Sequence, residues 1–67
     1  MRRIAANRVR IDGKEIRQCV VEIEEGIVVD YYEFHEELPF TEWIGGLIET
    51  ERNENGNLIV VNMRNRR

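Results

Sequence analysis

The chain has 67 residues, of which 42% are hydrophobic and 34% charged, and a formal net charge of −3 at pH 7. This length suits one small domain, and the composition is typical of a folded soluble chain, which excludes a disordered segment. No apolar run approaches the roughly 20 residues that span a bilayer. No signal-peptide pattern follows Arg2 and Arg3, so we predict a cytoplasmic protein with no membrane partner.

Charge is distributed unevenly along the chain. Residues 1–18 carry six basic and two acidic groups, residues 19–51 carry ten acidic groups and no basic one, and residues 52–67 carry four basic groups and one acidic. Two basic ends around an acidic middle favour neighbouring strands of opposite charge within one sheet. The same ends are also compatible with a basic patch for nucleic acid.

Residues 3–11 alternate in the manner of a strand, and Asp12-Gly13 is a strong signal for a two-residue hairpin turn. This turn sets Ile4 opposite Val21, Ala6 opposite Cys19, and Val9 opposite Ile16. One face of the first two strands is then apolar. The same register sets Arg8 opposite Arg17, a like-charge pair that Glu33 on a third strand is expected to relieve.

Residues 16–34 are the stretch around which the chain is organised, and we interpret them as a second β-hairpin. Gly26 accepts a positive φ at no steric cost, so the turn belongs there. A two-residue loop at Glu25-Gly26 mixes polar and apolar residues on both faces. A three-residue loop at 24–26 instead pairs the apolar side chains, and we predict that register: Ile23 with Ile27, Val21 with Val29, Cys19 with Tyr31, and Arg17 with Glu33.

The second half of the chain predicts a connection followed by a last hairpin. Pro39 cannot donate to a ladder, so residues 35–42 are a connection, with Leu38, Phe40 and Trp43 as a second apolar cluster. Residues 43–50 form a strand in which Gly45-Gly46 permits a β-bulge, and Asn55-Gly56 turns the chain into the strand Leu58–Met63. Residues 62–67 form a basic tail that frays.

We therefore predict an all-β fold, a five-stranded antiparallel meander that forms a small sandwich or partly open barrel. Residues 1–67 make a single domain. A core this small often gains stability from a second copy, so we expect a homo-oligomer, or a different protein that docks on an exposed strand edge.

Candidate catalytic residues are few. Cys19 is the one cysteine, so no intrachain disulfide forms, and we interpret it as a small buried apolar residue. The chain has no serine for a serine triad, no phosphate loop and no paired-cysteine metal motif. Carboxylates of the central hairpin qualify as acid or base by residue type alone: Glu22, Glu24 and Asp30.

Potential metal ligands are densest on one predicted connection: Glu33, His35, Glu36 and Glu37. A histidine with carboxylates can bind zinc or manganese, but real sites are fixed by several rigid elements. Adjacent groups on one loop are more often a solvated acidic turn. We predict no catalytic residue, no cofactor and no metal.

Three short pieces resemble the β segment that precedes the catalytic barrel of amidohydrolases, the cytosine-deaminase-like metal-dependent hydrolases. They are residues 6–9 (Ala-Asn-Arg-Val), residues 21–29 (Val-Glu-Ile-Glu-Glu-Gly-Ile-Val-Val) and residues 46–50 (Gly-Leu-Ile-Glu-Thr). The family motif continues with two metal-binding histidines, where this chain has Glu51 and Asn53. The resemblance therefore implies a shared strand-rich architecture and does not transfer the hydrolysis.

From these observations we expect a non-catalytic structural or protein-interaction module that self-associates. The alternative is a small nucleic-acid-binding barrel that uses arginines from both ends of the chain, provided that they share a face. Those arginines are Arg2, Arg3, Arg8, Arg10, Arg64 and Arg66.

Overall fold

The computed structural model describes residues 1–36, 39 and 41–64, and these form strands and turns with no helix. The five strands are β1 (Arg2–Ile11), β2 (Lys14–Glu24), β3 (Ile27–Glu33), β4 (Glu42–Arg52) and β5 (Leu58–Arg64). They make one curled sheet in the shape of a half-barrel, so the all-β class and the five strands are confirmed. A sandwich of two sheets is not formed.

The strand order is β3-β2-β1-β4-β5, and β1 pairs with β4 in parallel. The predicted antiparallel meander is therefore wrong, because β4 does not continue beside β3. The connection between β3 and β4 is long enough to carry the chain past β2 and on to the free edge of β1. A parallel pair requires such a crossover and cannot be made by a tight turn.

Opposite charges hold both ends of the parallel pair. Arg2 donates two hydrogen bonds to Glu42, at 2.6 and 3.0 Å, and Arg52 donates two to Asp12, at 3.1 and 2.8 Å. These side chains are about half exposed, so each pair adds little stability, but the bidentate geometry favours this register. The expectation of neighbouring strands with opposite charge is thereby confirmed.

The first hairpin has the predicted register. Ile4 pairs with Val21, Ala6 with Cys19 and Val9 with Ile16. Asp12 and Gly13 both have positive φ, 50° and 80°, as the two central residues of a type I′ turn require.

The central hairpin corrects the predicted three-residue loop. Glu24 pairs with Ile27, so the turn is the two-residue Glu25-Gly26, and a β-bulge then shifts the register so that Val21 pairs with Tyr31. Val29 is the extra residue at this bulge. The two-residue turn pairs Val28 with Ile23 and so places Val28 instead of Val29 in the core, and the bulge then brings Tyr31 instead of Asp30 opposite Val21.

Strands β1 and β2 bend at the same level of the sheet. Core residues step from Ala6 to Val9 in β1 and from Ile16 to Cys19 in β2, so each strand carries one extra residue between them. The predicted irregularity at Gly45-Gly46 is confirmed there: Ala6 pairs with Ile44, and Arg8 already pairs with Leu47. This aligned break in three strands marks the bend of the sheet.

The last hairpin forms within the chain. Asn53 organises its loop, because its side-chain oxygen accepts hydrogen bonds from the backbone N–H of Asn55 and of Asn57, both at 2.9 Å. Gly56 has the positive φ, 81°, that the sequence anticipates. Strand β5 extends to Arg64, so the predicted tail is too long by three residues. The tail positions 65–67 lie outside the described residues.

The core lies on the concave face of the half-barrel. Its buried members come from all five strands: Ile4, Ala6, Val9, Ile11, Cys19, Val21, Val28, Ile48 and Leu58. Cys19 is fully buried among them, as predicted. Val28 of β3 and Leu58 of β5 belong to this one cluster, so apolar packing without a hydrogen-bonded ladder joins the two edge strands.

Candidate functional site

The two edge strands carry much of the exposed apolar surface. On β3, Val29 is 52% exposed and Tyr31 42%; on β5, Val61 is 47% exposed and Met63 37%. Strand β3 is hydrogen-bonded to β2 alone and β5 to β4 alone, so each has one edge of backbone without a strand partner. Such edges are natural templates for pairing with another chain.

The exposed edge residues continue the core. Tyr31 pairs with the buried Val21, and Met63 pairs with the buried Ile48, so both edge residues lie on the concave face. Val29 and Val61 are the extra residues of two β-bulges, one in each edge strand. The apolar face therefore extends to both edges at Tyr31 and Met63, although the edge strands are joined by apolar packing at Val28 and Leu58.

The same edges carry features that limit uncontrolled pairing. A β-bulge interrupts each ladder, which shortens the stretch available to an added strand. Asp30 accepts a hydrogen bond at 2.8 Å from the backbone N–H of Tyr31, which caps one donor of β3. A partner at these edges must therefore bind through side chains as well as backbone.

The convex face carries most of the arginines. Register places Arg64, Leu47, Arg8 and Arg17 in one row across four strands, and Asn62, Glu49, Arg10 and Glu15 in the next row. Ion pairs form within and between these rows: Glu49 lies 3.0 Å from Arg10 in its own row and 3.4 Å from Arg64 in the other row. Arg8 lies 3.7 Å from Glu15, and Arg17 has no ion pair among the described residues.

The predicted nucleic-acid arginines partly share a face. Arg3, Arg8, Arg10 and Arg64 lie on the convex face, whereas Arg2 lies on the concave side, where it contacts Glu42. Each of these five lies within 4 Å of a carboxylate, which lowers the charge free to contact phosphate. Arg66 lies outside the described residues.

Aromatic side chains form a second group on the convex face. One row of paired residues runs Tyr32, Val20, Ala5 and Trp43 across β3, β2, β1 and β4. The Trp43 ring meets Phe34 edge to face, with ring centroids 5.8 Å apart, and Trp43 remains 55% exposed. Trp43 was predicted to pack with Leu38 and Phe40, which both lie outside the described residues.

Glu22 is the most buried of the three predicted acid or base carboxylates. Its side chain is 14% exposed, lies 3.2 Å from Arg3, and accepts a 2.6 Å hydrogen bond from the Tyr32 hydroxyl. That hydrogen bond raises the pKa of Tyr32 above its ordinary value. Asp30 is the cross-strand partner of Glu22, whereas Glu24 pairs with Ile27. The structure therefore brings two of the three carboxylates together, but Asp30 and Glu24 are exposed and no cleft encloses them.

The predicted metal-ligand group is not assembled within the described part of the chain. Glu33, His35 and Glu36 are exposed, and no group of three or more potential ligands could hold a metal among the described residues. Glu37 lies outside them. Cys19 is a poor nucleophile as well, because burial raises its thiol pKa to about 11.

Gln18 was not anticipated by the sequence. It has φ 48° in the middle of β2, where a residue with a Cβ is strained, and its backbone oxygen accepts a hydrogen bond from Phe34 at 2.9 Å. The sequence signal for it was the interruption of apolar alternation between Ile16 and Cys19 in β2, at the same level as the interruption between Ala6 and Val9 in β1.

The strain at Gln18 gives a stability prediction. Gln18→Gly is expected to raise the free energy of unfolding by about 1 kcal/mol, because glycine adopts positive φ without a Cβ clash. Gln18→Ala, which removes the same exposed side chain but keeps the Cβ, serves as the matched control. Urea unfolding of both variants checks the result, and equal stability would contradict the strain.

Within the described ranges, no helix is long and apolar enough to cross a membrane. Comparison of the chain with protein-family models, with curated proteins and with solved structures found no match in any of the three.

Proposed function

We propose that the chain is a non-catalytic structural or protein-interaction module that self-associates through its edge strands β3 and β5. The observation that carries this proposal is the exposed apolar surface of both edges, continuous with the core at Tyr31 and Met63. Burial of apolar area on association contributes roughly 25 cal/mol per Å² before the costs of binding. A domain with so small a core gains stability from the same contact.

Charge favours one arrangement of the copies. The exposed edge strand β3 carries Asp30 and Glu33, whereas β5 carries Arg64. Two copies of β3 side by side would repel each other, whereas β3 of one copy beside β5 of the next pairs opposite charges. Self-association is therefore expected to be heterologous, which produces either a closed ring or an open chain of copies.

The amidohydrolase resemblance supports the same proposal. In that family the β segment folds against another part of its own chain. A second copy of this chain provides the corresponding cover for its open sheet. We propose that the resemblance reflects ancestry and not activity.

Light scattering on a size-exclusion column, over a range of loading concentrations, tests self-association. The wild type is expected to exceed the monomer mass of 8.0 kDa increasingly as concentration rises. Val29→Lys and Val61→Lys each place a charge at an edge, and each is expected to weaken association at least about tenfold.

Asn55→Lys is the matched control, because it adds the same charge at an exposed turn away from both edges. It is expected to associate as the wild type does. A wild-type mass of 8.0 kDa at every concentration would refute the proposal, as would equal weakening by all three lysine variants.

Nucleic-acid binding stays a prediction. The half-buried Phe34, which lines a groove with Arg8 and Arg17 and contacts the exposed Trp43, favours it, since bases stack on aromatic rings beside cationic groups. The ion pairs of the other arginines oppose it.

A further inference from the structure

A groove on the convex face combines two features that cost folding free energy and that the fold offsets only in part. It is lined by Asn7, Arg8, Arg17, Gln18, Glu33, Phe34 and His35. Arg8 and Arg17 are direct partners across β1 and β2, and like charges in that position repel. Glu15 lies 3.7 Å from Arg8 and relieves part of this repulsion, whereas Arg17 has no ion pair among the described residues. The expected relief by Glu33 does not occur, because no ion pair joins it to either arginine although it lines the same groove.

The second cost is the backbone of Gln18, the neighbour of Arg17. Its φ of 48° falls in the middle of a strand and not at a turn. Strained backbone and charge that is only partly paired tend to persist where a site requires them. Two unrelated costs at one groove suggest that a ligand of opposite charge offsets at least one.

We propose that this groove binds the phosphoryl group of a phosphate monoester, with Arg8 and Arg17 as its two cationic ligands. Adjacent guanidinium groups present planar forks of N–H donors that match phosphate oxygens, and an anion between them turns the repulsion into attraction. The side-chain amides of Asn7 and Gln18 and the imidazole of His35 offer further donors at the rim.

The remaining groove residues set what the ligand carries. Phe34 offers a ring face or edge to an aromatic ester group. Glu33 opposes a second negative charge, which favours a small monoester over a polyanion. This inference does not depend on self-association, because both arginines lie on the interior strands β1 and β2 and not on an edge.

Nuclear magnetic resonance titration of the ¹⁵N-labelled full chain tests the site. The probes are inorganic phosphate and phenyl phosphate, added at constant ionic strength so that general screening does not change. Shifts are expected at Arg17, Gln18 and Phe34. Arg8→Gln and Arg17→Gln are each expected to weaken binding at least about tenfold, since each removes a charge-assisted hydrogen bond.

Lys14→Gln is the matched control, because Lys14 is an exposed cation of β2 outside the groove and has no ion pair among the described residues. It is expected to leave the affinity for phenyl phosphate unchanged. Glu33→Gln is expected to raise that affinity severalfold. Arg17→Gln should remain folded and be at least as stable as the wild type without phosphate, so that weaker binding cannot be ascribed to unfolding.

Equal loss of affinity in Lys14→Gln and Arg17→Gln would overturn the proposal, because it would indicate nonspecific charge. Saturable binding of phenyl phosphate that depends on Arg8 and Arg17 would support it. The last titration uses a single-stranded oligonucleotide without a terminal phosphate. If it binds through these arginines while phenyl phosphate does not, the monoester proposal fails and the nucleic-acid prediction gains support.

Discussion

Ile48→Ala is expected to lower the free energy of unfolding by about 2–5 kcal/mol. Ile48 is fully buried on β4 and lies between Val9 of β1 and Met63 of β5, so the truncation leaves a cavity where three strands meet. A chain of this size has a total stability of roughly 3–10 kcal/mol. The substitution therefore removes a large share of it, and urea unfolding followed by Trp43 fluorescence measures the loss.

Ile59→Ala is the control for this substitution. Ile59 lies on the adjacent strand β5 opposite the exposed Glu51, outside the core cluster. Its truncation is expected to cost less than about 1 kcal/mol. A loss of under 1 kcal/mol for Ile48→Ala would mean that the concave face is not the core.

Stability is expected to fall by about 2–3 kcal/mol between pH 9 and pH 11 because of Cys19. Burial raises its thiol pKa from about 9 in the unfolded chain to about 11 in the folded state. Below pH 9 the thiol is protonated in both states, and the stabilisation that follows from its raised pKa is fully present. As pH rises toward 11, the unfolded state ionises first, and its stability relative to the folded state increases.

Cys19→Ala isolates this contribution. The variant is expected to be somewhat less stable at neutral pH, because it removes a buried sulfur, but to lose less stability between pH 9 and pH 11 than the wild type. Tyr32, whose pKa is also raised, contributes in the same direction in both proteins and cancels in the comparison. Identical pH profiles would show that Cys19 ionises equally in both states.

Local sequence patterns predicted the hairpins but did not predict the pairing of strands that are distant in the sequence. Asp12-Gly13 fixed the first register because a two-residue turn leaves one pairing that keeps the apolar faces together. The central register was mispredicted because a bulge at Val29 uses one residue without a partner, and no residue type demands a bulge there. Apolar alternation alone cannot distinguish a longer loop from a regular turn followed by a bulge.

The parallel pairing of β1 with β4 depends on contacts about forty residues apart. The charge pattern indicated that strands of opposite charge are neighbours, and Arg2 and Arg10 of β1 do contact Glu42 and Glu49 of β4. Charge does not specify whether the two strands run parallel or antiparallel. The groove could not be predicted from the sequence for a related reason. Arg8 opposite Arg17 was predicted from the register, whereas the strained Gln18 and the approach of Phe34 arise from the bend of the assembled sheet.

The central place of β1 has a consequence for how the chain folds. Strand β1 is the first of the five strands to be synthesised, but it pairs with a strand that is made only after β2 and β3, since Arg10 pairs with Glu49 near the end of β4. Until most of the chain has been made, one edge of β1 stays open although its other edge can already pair with β2. Such nonlocal closure is slow relative to hairpin formation, so folding is expected to take milliseconds to seconds. The newborn three-stranded intermediate, β1 to β3, is then the species most prone to aggregation.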